Sequence, residues 1–526
     1  MASAIINETD DHDIHNKFVK NTIAALSEEE QPPFKLKDGR VLADPAQSNV
    51  FSIIAAAHPE RPSFLNPDGP THDNLGMSDL FAKCYVKRVR YCPEQKAWYV
   101  YDGSVWKIDA GDRIAYCIQE FNKLMRLYSG EIDDQELCKK YLIFVAKIGD
   151  HRFREGMRAD AEANEMLIIR PDEFDADPYL INCKNGTYDL KKGIFYESKA
   201  DDLLTKQTAF NYSLKDPVYE RWTEFIKEVT QGDEEKADYL QKALGYSILG
   251  KANEECMFIL HGKTTRNGKS TMLSAIYHLL GDYAGVASVS IICKAGIKFN
   301  SANSPTPALA DLKGKRFVTM AETGQHGKLD EEMIKQLTGG EEITVRDMYG
   351  KRPFSFLPQF TLWLSCNDLP AVRDKSLFAS ERLRVIEFNR HFKPDEQDKD
   401  LKTEFQTEQA MRGIFAWLIE GYRKYKREGL KMPDTVRNVV KQYERENDLV
   451  LSFLEEKCEV APSENIRKKS LFDAFRMWSK SNGYSVEMTA HNFYNEVELH
   501  TEWYKRKNRN IKGYPVYDGL RLKASS

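Results

Sequence analysis

The spacing of apolar residues predicts an α/β domain near the middle of the chain. Residues 257–260 form a short apolar run typical of a buried strand, and Leu273, Ile276 and Leu280 follow at helical spacing. A glycine-containing turn separates the two. Strands and helices then alternate to about Phe392, which favours a largely parallel sheet with helices packed against it.

The flanking segments show other patterns. A helix is predicted at residues 17–26, and the prolines of residues 58–74 indicate a linker. Residues 88–109 alternate like a hairpin, and their aromatic side chains suit either a buried face or a base-stacking platform. We predict five regions in chain order: an N-terminal extension and linker (1–75), an α+β and helical region (76–250), the central α/β domain (251–395), a helical connector (396–448) and a small C-terminal domain (449–526).

Composition narrows the classes of protein. The chain has 526 residues, of which 41% are hydrophobic and 30% charged, as in globular proteins of several domains. No apolar run reaches the ~20 residues that cross a bilayer, and the polar N-terminus lacks the order of a secretory signal. We therefore expect a cytoplasmic protein with no membrane partner. The nine cysteines are odd in number and contain no Cys-x-x-Cys pair, which argues against disulfides and zinc.

Charge is nearly balanced overall but not locally. The formal net charge is −4, whereas residues 501–526 carry seven basic and two acidic residues. This basic segment fits a β-hairpin at residues 503–522 that follows two helices with apolar faces. It is either a solvated surface or a nucleic-acid contact. The candidate contact residues are Lys505, Arg506, Lys507 and Arg509.

The turn between the central strand and its helix has the pattern of a phosphate-binding loop. Backbone N–H groups at a helix N-terminus bind phosphate, Lys269 would reach the β and γ oxygens of ATP, and the Ser270 hydroxyl would ligate Mg²⁺. Five residues separate Gly262 from Gly268, where the usual pattern has four; we expect the added length at residues 263–265. The alternative is a glycine-rich turn without a ligand. The predicted ATP-binding residues are Gly262, Thr264, Thr265, Arg266, Asn267, Gly268, Lys269, Ser270 and Thr271.

Two later strands end in polar residues that suit ATP hydrolysis. Residues 317–320 form an apolar strand that leads to Glu322, a candidate for polarising the attacking water and for binding Mg²⁺ with Ser270. Residues 360–365 form the next strand, and Asn367 at its end could hydrogen-bond the γ-phosphate or the water. Glu322 could instead be an exposed residue, and Asn367 alone would be only a turn residue.

Arg382 and Arg384 lie two residues apart on a strand-like run and point the same way. An arginine that reaches a neighbouring subunit's γ-phosphate neutralises transition-state charge. Arg382 is the preferred candidate and Arg384 the alternative. Surface ion pairing explains the same spacing equally well.

Residues 343–356 are predicted to form a hairpin with cations near its tip. Lysine and arginine suit nucleic-acid phosphates, and tyrosine suits a base or sugar face. An ordinary solvated hairpin is the alternative. The candidate DNA-binding residues are Arg346, Tyr349, Lys351 and Arg352.

Taken in order, these motifs resemble those of the superfamily 3 helicases, the ring-forming AAA+ motors of small DNA replicons. The similarity is greatest to the phage/plasmid and poxvirus primase-helicase branch. It includes residues 262–271 as Walker A, 317–322 as Walker B, 335–340 before the hairpin, 364–367 as motif C, and Arg382. Upstream, residues 177–190 and 239–246 look like the helical collar that precedes the motor in this branch.

The resemblance implies an AAA+ P-loop ATPase core between an N-terminal α+β and helical collar region and a C-terminal winged-helix-like domain. It implies an ATP- and Mg²⁺-dependent replicative helicase of a phage or mobile element that moves along single-stranded and forked DNA as a homo-hexamer. Relatives often carry an N-terminal primase, and only about 75 residues precede the collar region here, so we do not expect primer synthesis. A separate primase or replication protein is an expected partner.

Two other functions remain open. An origin-binding initiator would use ATP only to assemble and would not unwind DNA processively. A soluble P-loop kinase would leave the hairpin and Arg382 without a role. Strand displacement on a forked duplex separates the helicase from the initiator, and DNA-independent phosphoryl transfer by a monomer identifies the kinase.

Overall fold

The structure is a computed structural model of the chain. The predicted helix at residues 17–26 lies outside the residues that the structure describes, as do Glu322, Tyr349, Lys351 and Arg352. The backbone of residues 506–509 is described, but their side chains are not. The described residues are 34–61, 69–213, 218–293, 307–321, 327–346, 353–372, 374–482, 484, 488–511 and 513–523.

The N-terminal part combines five short strands with five helices. Strands β1 and β2 pair with each other, and β3, β4 and β5 form an antiparallel sheet in chain order. The strands are β1 (Phe34–Lys35), β2 (Val41–Leu42), β3 (Val89–Cys92), β4 (Ala97–Tyr101) and β5 (Trp106–Ile108). The helices are α1 (Pro45–Ala57), α2 (Asn74–Tyr85), α3 (Arg113–Tyr128), α4 (Gln135–Ile148) and α5 (His151–Ala161).

One core joins these helices across the boundary predicted at residue 75. Phe51 of α1, Phe81 of α2 and Phe121 of α3 are fully buried in the same cluster. The described residues before position 75 therefore pack as part of this unit. Trp98 and Trp106 are also buried, so these two aromatic side chains belong to the core and not to an exposed stacking platform.

A second antiparallel sheet and two helices lead to the central domain. Strands β6, β7 and β8 pair in chain order. Helix α7 packs against a later helix, α13, and Gln241 Nε2 donates a hydrogen bond to the Trp417 carbonyl at 3.0 Å. The elements are β6 (Leu180–Cys183), β7 (Gly186–Asp189), β8 (Ile194–Tyr196), α6 (Glu220–Thr230) and α7 (Glu234–Tyr246), with α13 at Glu408–Glu428.

The central domain is an α/β unit with a five-stranded parallel sheet, as predicted. The strand order is β10-β11-β14-β9-β15, so β9 lies between β14 and β15. All five residues of β9 are buried, because helices cover both faces of a parallel sheet. The strands are β9 (Met257–His261), β10 (Ala284–Ser288), β11 (Phe317–Ala321), β14 (Thr361–Cys366) and β15 (Leu383–Glu387).

Short helices and one hairpin connect the strands of this sheet. The hairpin is antiparallel, with Ile343 opposite Phe356, so its two arms form as predicted. The connecting elements are α8 (Lys269–Leu280), α9 (Pro307–Ala310), α10 (Glu331–Thr338), β12 (Ile343–Val345), β13 (Phe354–Phe356) and α11 (Ser376–Ala379). Helices α12 (Leu401–Glu404), α13 and α14 (Asp434–Glu446) follow. A single core from Ile181 to Tyr443 joins the collar region, sheet and connector.

The C-terminal part has its own core. Leu471, Phe475 and Trp478 from one helix and Phe493 and Val497 from another are buried together, as their spacing predicted. Strand β16 completes a three-stranded sheet of order β16-β18-β17, and the sequence pattern did not predict it. The elements are α15 (Leu449–Lys457), β16 (Cys458–Arg467), α16 (Lys468–Ser481), α17 (Ala490–Leu499), β17 (Arg506–Ile511) and β18 (Tyr514–Leu522).

Candidate active site

The predicted phosphate-binding loop lies at the carboxyl end of β9, where α8 begins. Gly268 precedes the first helical residue with φ of 89°, and no side chain caps the helix. The first backbone N–H groups of α8 are therefore open to a bound anion. Gly262 and Asn267 are buried at the two ends of the loop, and residues 263–266 between them are exposed.

Gly262 occupies a position where a side chain would not fit, as expected for the first glycine of the motif. A Cβ at this position would lie 2.5 Å from Asn267 Nδ2 and 2.6 Å from the Phe388 carbonyl oxygen, so no larger residue fits. Asn267 Nδ2 donates to the Thr264 carbonyl at 2.6 Å and closes the exposed bend. The added loop length is thus accommodated in residues 263–266, between the two buried anchors.

The segment after β15 braces this bend. His391 Nδ1 lies 2.8 Å from the Thr265 carbonyl oxygen, and the Phe392 N–H donates to the Arg266 carbonyl at 3.0 Å. These contacts join residues more than 120 positions apart. No local motif could have predicted them, because they depend on β15 lying beside β9.

Lys269 points across the edge of the sheet towards β14. Its Nζ donates to the Gly262 carbonyl at 3.1 Å, to the Cys366 carbonyl at 2.8 Å and to Asn367 Oδ1 at 3.1 Å. The residue is only 4% exposed. The structure therefore brings the loop lysine and Asn367, two of the predicted catalytic residues, into direct contact.

Register explains why these two residues meet. Strands β14 and β9 are parallel, with Cys366 opposite His261, so Asn367 and Gly262 follow the paired ends of adjacent strands. Strand β11 reaches the same edge, since Ala321 is opposite Ser365. Glu322, the predicted carboxylate, follows Ala321 in the chain but lies outside the described residues.

A pocket of about 340 Å³ opens beside the start of α8. Arg266, Asn267, Gly268, Ser270 and Thr271 line one side of this pocket. This volume is in the range of small-molecule sites, ~300–1,000 Å³. Sequence analysis missed the other walls, which come from α6 and the segment after β15: Arg221, Phe225, Glu228, Phe392, Glu396, Gln397, Asp398, Lys399, Leu401 and Lys402.

Arg382 lies at the opposite, amino-terminal edge of the sheet. Its carbonyl accepts from the Met257 N–H at the start of β9. Its guanidinium donates to Thr338 Oγ1 at 2.8 Å and to Glu255 Oε2 at 2.6 Å. The strand between Met257 and the loop spans about 15 Å, so Arg382 does not reach the phosphate site of its own chain.

Arg384, the alternative arginine, is a buried structural residue. It is 5% exposed and donates to the Tyr239 hydroxyl and the Leu430 carbonyl. Its guanidinium also lies 3.5 Å from Glu254 Oε2. These contacts hold α7 and the segment after α13 against β15, and they leave no exposed cation at this position.

The candidate DNA-binding residues are only partly described. Arg346 follows the first arm of the β12–β13 hairpin. Tyr349, Lys351 and Arg352 lie outside the described residues. Lys505 is exposed just before β17, whereas the side chains of Arg506, Lys507 and Arg509 on that strand are not described.

Three family models match separate parts of the chain. Residues 78–231 match a model described as D5 N terminal like. Residues 260–382, which include the phosphate loop, match a family of unknown function, DUF5906. Residues 445–519 match a model described as poxvirus D5 protein-like. The matched segments follow the order of the predicted collar, motor and C-terminal regions.

Several viral proteins are similar over much of the chain. A mimivirus protein named "Putative helicase L207/L206" is 26% identical, covering 80% of this chain and 47% of the relative. "Putative helicase 121R" of invertebrate iridescent virus 3 is 23% identical over 65% of this chain and 39% of the relative. "Primase D5" of fowlpox virus is 24% identical over 43% and 29%. The chain thus spans less than half the length of these relatives.

Among solved structures, the apo NrS-1 C terminal region is similar at a TM-score of 0.48 and 10% identity, over 85% of this chain and 99% of that one. No helix in the described part of the chain is long and apolar enough to cross a membrane. With D5-type models matching residues 78–231 and 445–519, and viral putative helicases and a primase among its relatives, the chain is similar to the D5-like primase-helicase family.

Proposed function

We propose that this protein is an ATP-driven DNA helicase that replicates a viral or mobile replicon as a hexameric ring. The contact between Lys269 Nζ and Asn367 Oδ1 at 3.1 Å carries the proposal. This contact joins the loop that would bind the phosphates to the end of β14, where Asn367 would hydrogen-bond the γ-phosphate or the attacking water. The relatives named as helicases support the motor reading over a small-molecule kinase.

The residues present suit a nucleotide with Mg²⁺. The open N-terminus of α8 would take the phosphates, and the Ser270 hydroxyl with the Glu322 carboxylate would hold the metal. Bound there, Mg²⁺ would neutralise charge that builds up on the phosphate oxygens. Lys269 would move from the Gly262 and Cys366 carbonyls to the β and γ oxygens, and Asn367 would orient the attacking water.

Arg382 would complete the site of a neighbouring copy. It lies at the far edge of its own sheet, so it could contact only a γ-phosphate that is bound to a neighbouring chain. Its present ion pair with Glu255 is a weak restraint, because the carboxylate is 55% exposed and exposed pairs contribute ~0–1 kcal/mol. The AAA+ core and the hexamer implied by the motif resemblance agree with this requirement for a second copy.

The proposed DNA contacts lie in two places. The hairpin of β12 and β13 would carry Arg346, Tyr349, Lys351 and Arg352 into the channel of the ring. The C-terminal part would act as a winged helix, in which α17 and the basic β17–β18 hairpin bind duplex DNA. The order helix, strand, two helices and two strands from α15 to β18 supports this assignment.

An unwinding assay tests the proposal. Purified protein with ATP and Mg²⁺ is expected to displace a strand from a forked duplex, with a mass of six chains when nucleotide and DNA are present. ATP turnover without strand displacement at any salt concentration would favour the origin-binding initiator. Recruitment of a separate primase, the cytoplasmic location in a bacterial host, and the phage origin remain predictions from the sequence.

A further inference from the structure

Three lysines gather where the collar region meets the sheet, far from the phosphate loop. Lys206 belongs to the segment after β8, and Lys313 and Lys315 precede β11. Hydrogen bonds between Gln207 and Asp282 hold this segment against the central domain. We call Lys206, Lys313 and Lys315 the lysine cluster.

A tight turn at Gly314 brings the lysines together. Gly314 has φ of 73°, which a residue with a side chain rarely adopts, and it separates Lys313 from Lys315. Lys206 Cε lies 3.2 Å from the position that a Cβ of residue 314 would take. The absence of a side chain at position 314 therefore leaves room for the aliphatic part of Lys206 beside this turn.

The positive charges of the lysine cluster are poorly compensated. Burial lowers the pKa of both Lys313 and Lys315, and the nearby charge of Lys206 lowers it further. Asp172, Cys92 and Glu94 act in the opposite direction on Lys313, and Asp282 and Asp311 do so on Lys315. Lys315 Nζ also donates to the Asp282 backbone carbonyl at 2.9 Å. In the part of the chain that the structure describes, no carboxylate forms an ion pair with any of the three lysines. Grouping partly desolvated like charges costs free energy that a bound polyanion would recover.

The lysine cluster also contacts the base of the hairpin. Lys313 Nζ lies 5.4 Å from the ring centroid of Phe354, the first residue of β13. Phe354 is opposite Val345 on the other arm, next to Arg346. Lys313 therefore contacts the arm of the hairpin that lies opposite the strand leading to Arg346.

We infer that the lysine cluster is a second backbone-binding site for single-stranded DNA, which holds the strand's phosphates where it passes between the collar region and the β12–β13 hairpin. This inference rests on the proposed function, because it assigns part of the same DNA path. Ammonium groups bind phosphates as point charges without reading bases, so the site is independent of sequence.

The test is a triple variant in which Lys206, Lys313 and Lys315 are each replaced by glutamine. Binding of a fluorescent oligothymidylate to this variant and to the wild type is measured over a range of salt concentrations. Each lost phosphate contact lowers the slope of log K against log salt by about 0.7 for a single strand, so we expect a decrease of about 2. Affinity at low salt should fall about tenfold or more. Lysine-to-arginine replacement at all three positions should retain the slope.

The matched control neutralises Lys123, Lys139 and Lys140, three exposed lysines on α3 and α4. The slope of log K against log salt for this control should differ from the wild-type slope by less than about 0.5, because the control loses positive charge but no phosphate contact. If the triple glutamine variant does not fold, Lys206→Gln alone should lower the slope by about 0.7.

Failures of the two proposals are distinguishable. If the wild-type protein binds no single-stranded DNA, both the proposed helicase function and the lysine-cluster site are wrong. Normal wild-type binding with an equal slope in the triple glutamine variant overturns only the lysine cluster. Loss of the wild-type oligomer in that variant, with no change in slope, would make the cluster a contact between subunits and also overturn the inference.

Discussion

The two edges of the parallel sheet hold their key cations in different ways. At the carboxyl edge, Lys269 is buried and contacts oxygens from its own loop and from β14. At the amino edge, the Arg382 side chain is 15% exposed and paired with the exposed carboxylate of Glu255. The Lys269 cation contacts oxygens within its own sheet edge, whereas Arg382 is partly buried and pairs with an exposed carboxylate.

This difference indicates which residues of the proposed ATPase site would come from one chain and which from its neighbour. The carboxyl edge would supply phosphate binding and the polar group that orients water, and strand register fixes the positions of its residues. The amino edge contributes nothing to the site of its own chain because about 15 Å of strand separates them. A single chain therefore has an incomplete site if Arg382 takes part in hydrolysis.

The largest expected effect is at the carboxyl edge. Lys269→Ala removes the cation that would neutralise the β- and γ-phosphates, and we expect ATP turnover to fall by more than about 10³-fold. Lys263→Ala is the matched control, since Lys263 lies in the exposed bend and should keep turnover within about threefold. Steady-state phosphate release measures both. Near-normal turnover in Lys269→Ala would show that the loop does not bind ATP.

At the amino edge, Arg382→Ala should reduce turnover by about 10³-fold in a uniform ring, because an arginine that stabilises transition-state charge contributes at least this much. Mixing it with Lys269→Ala gives the sharper result. Each inactive variant supplies what the other lacks, so about a quarter of the sites in an equal mixture should be active if subunits exchange at random.

Glu255→Gln is the control for this edge. It frees Arg382 from an exposed ion pair and should change turnover by less than about threefold. No recovery in the mixture, after subunit exchange has been demonstrated, would contradict the division between copies. Arg382 would then serve only to join α10 to the start of β9 through Thr338 and Glu255.

Asn367 tests whether the carboxyl edge does more than bind phosphate. Asn367→Ala removes one oriented polar group, and we expect kcat to fall by about 10²-fold with a smaller change in KM. Rapid-quench measurements separate binding from the chemical step. A change in KM alone would mean that Asn367 only positions Lys269, through the 3.1 Å contact between them.

The sequence placed the predicted phosphate loop and Asn367 at the ends of apolar strands, and parallel strands end at the same edge, so their proximity could be predicted. The roles of these residues stay predictions. The sequence named both Arg382 and Arg384, with Arg382 preferred, but the spacing could not show that Arg384 is buried. Burial of Arg384 against Tyr239 and Leu430 depends on helices that are distant in the chain.

Features built from distant segments were missed for the same reason. The braces at Thr265 and Arg266 come from residues 391 and 392, and the walls of the pocket come from α6 and the segment after β15. Strand β16 has a mostly exposed pattern with little alternation, so its pairing with β18 decides its structure. The core shared by residues on both sides of position 75 also depends on helix packing.

A smaller effect is expected where the C-terminal part meets the segment between β14 and β15. Lys375, in the segment after β14, contacts Asp448 at 2.8 Å and Glu496 at 2.5 Å. Asp448 also lies 2.9 Å from His500 Nε2 and caps α15 through the Leu451 N–H. This cation is held by carboxylates, as Arg382 is, but its partners are less exposed.

Asp448→Asn keeps the helix cap and removes the charge, so we expect a loss of about 1–2 kcal/mol in the free energy of unfolding at pH 7. Burial acts to raise the pKa of Asp448, but hydrogen bonds from His500 and Lys375 outweigh it and lower the pKa well below its usual value. The unfolded chain therefore takes up the proton first. The stabilisation by the Asp448 charge is complete above the unfolded pKa of about 4 and is lost as the pH falls below it.

Thermal unfolding at pH 7, 5 and 3.5 measures the gap in unfolding free energy between Asp448→Asn and the wild type. This gap should narrow only at the lowest pH. Asp473→Asn, at an exposed position on α16, should show little gap at any pH. A constant gap for Asp448→Asn would mean that packing, not charge, holds the C-terminal part to the segment between β14 and β15.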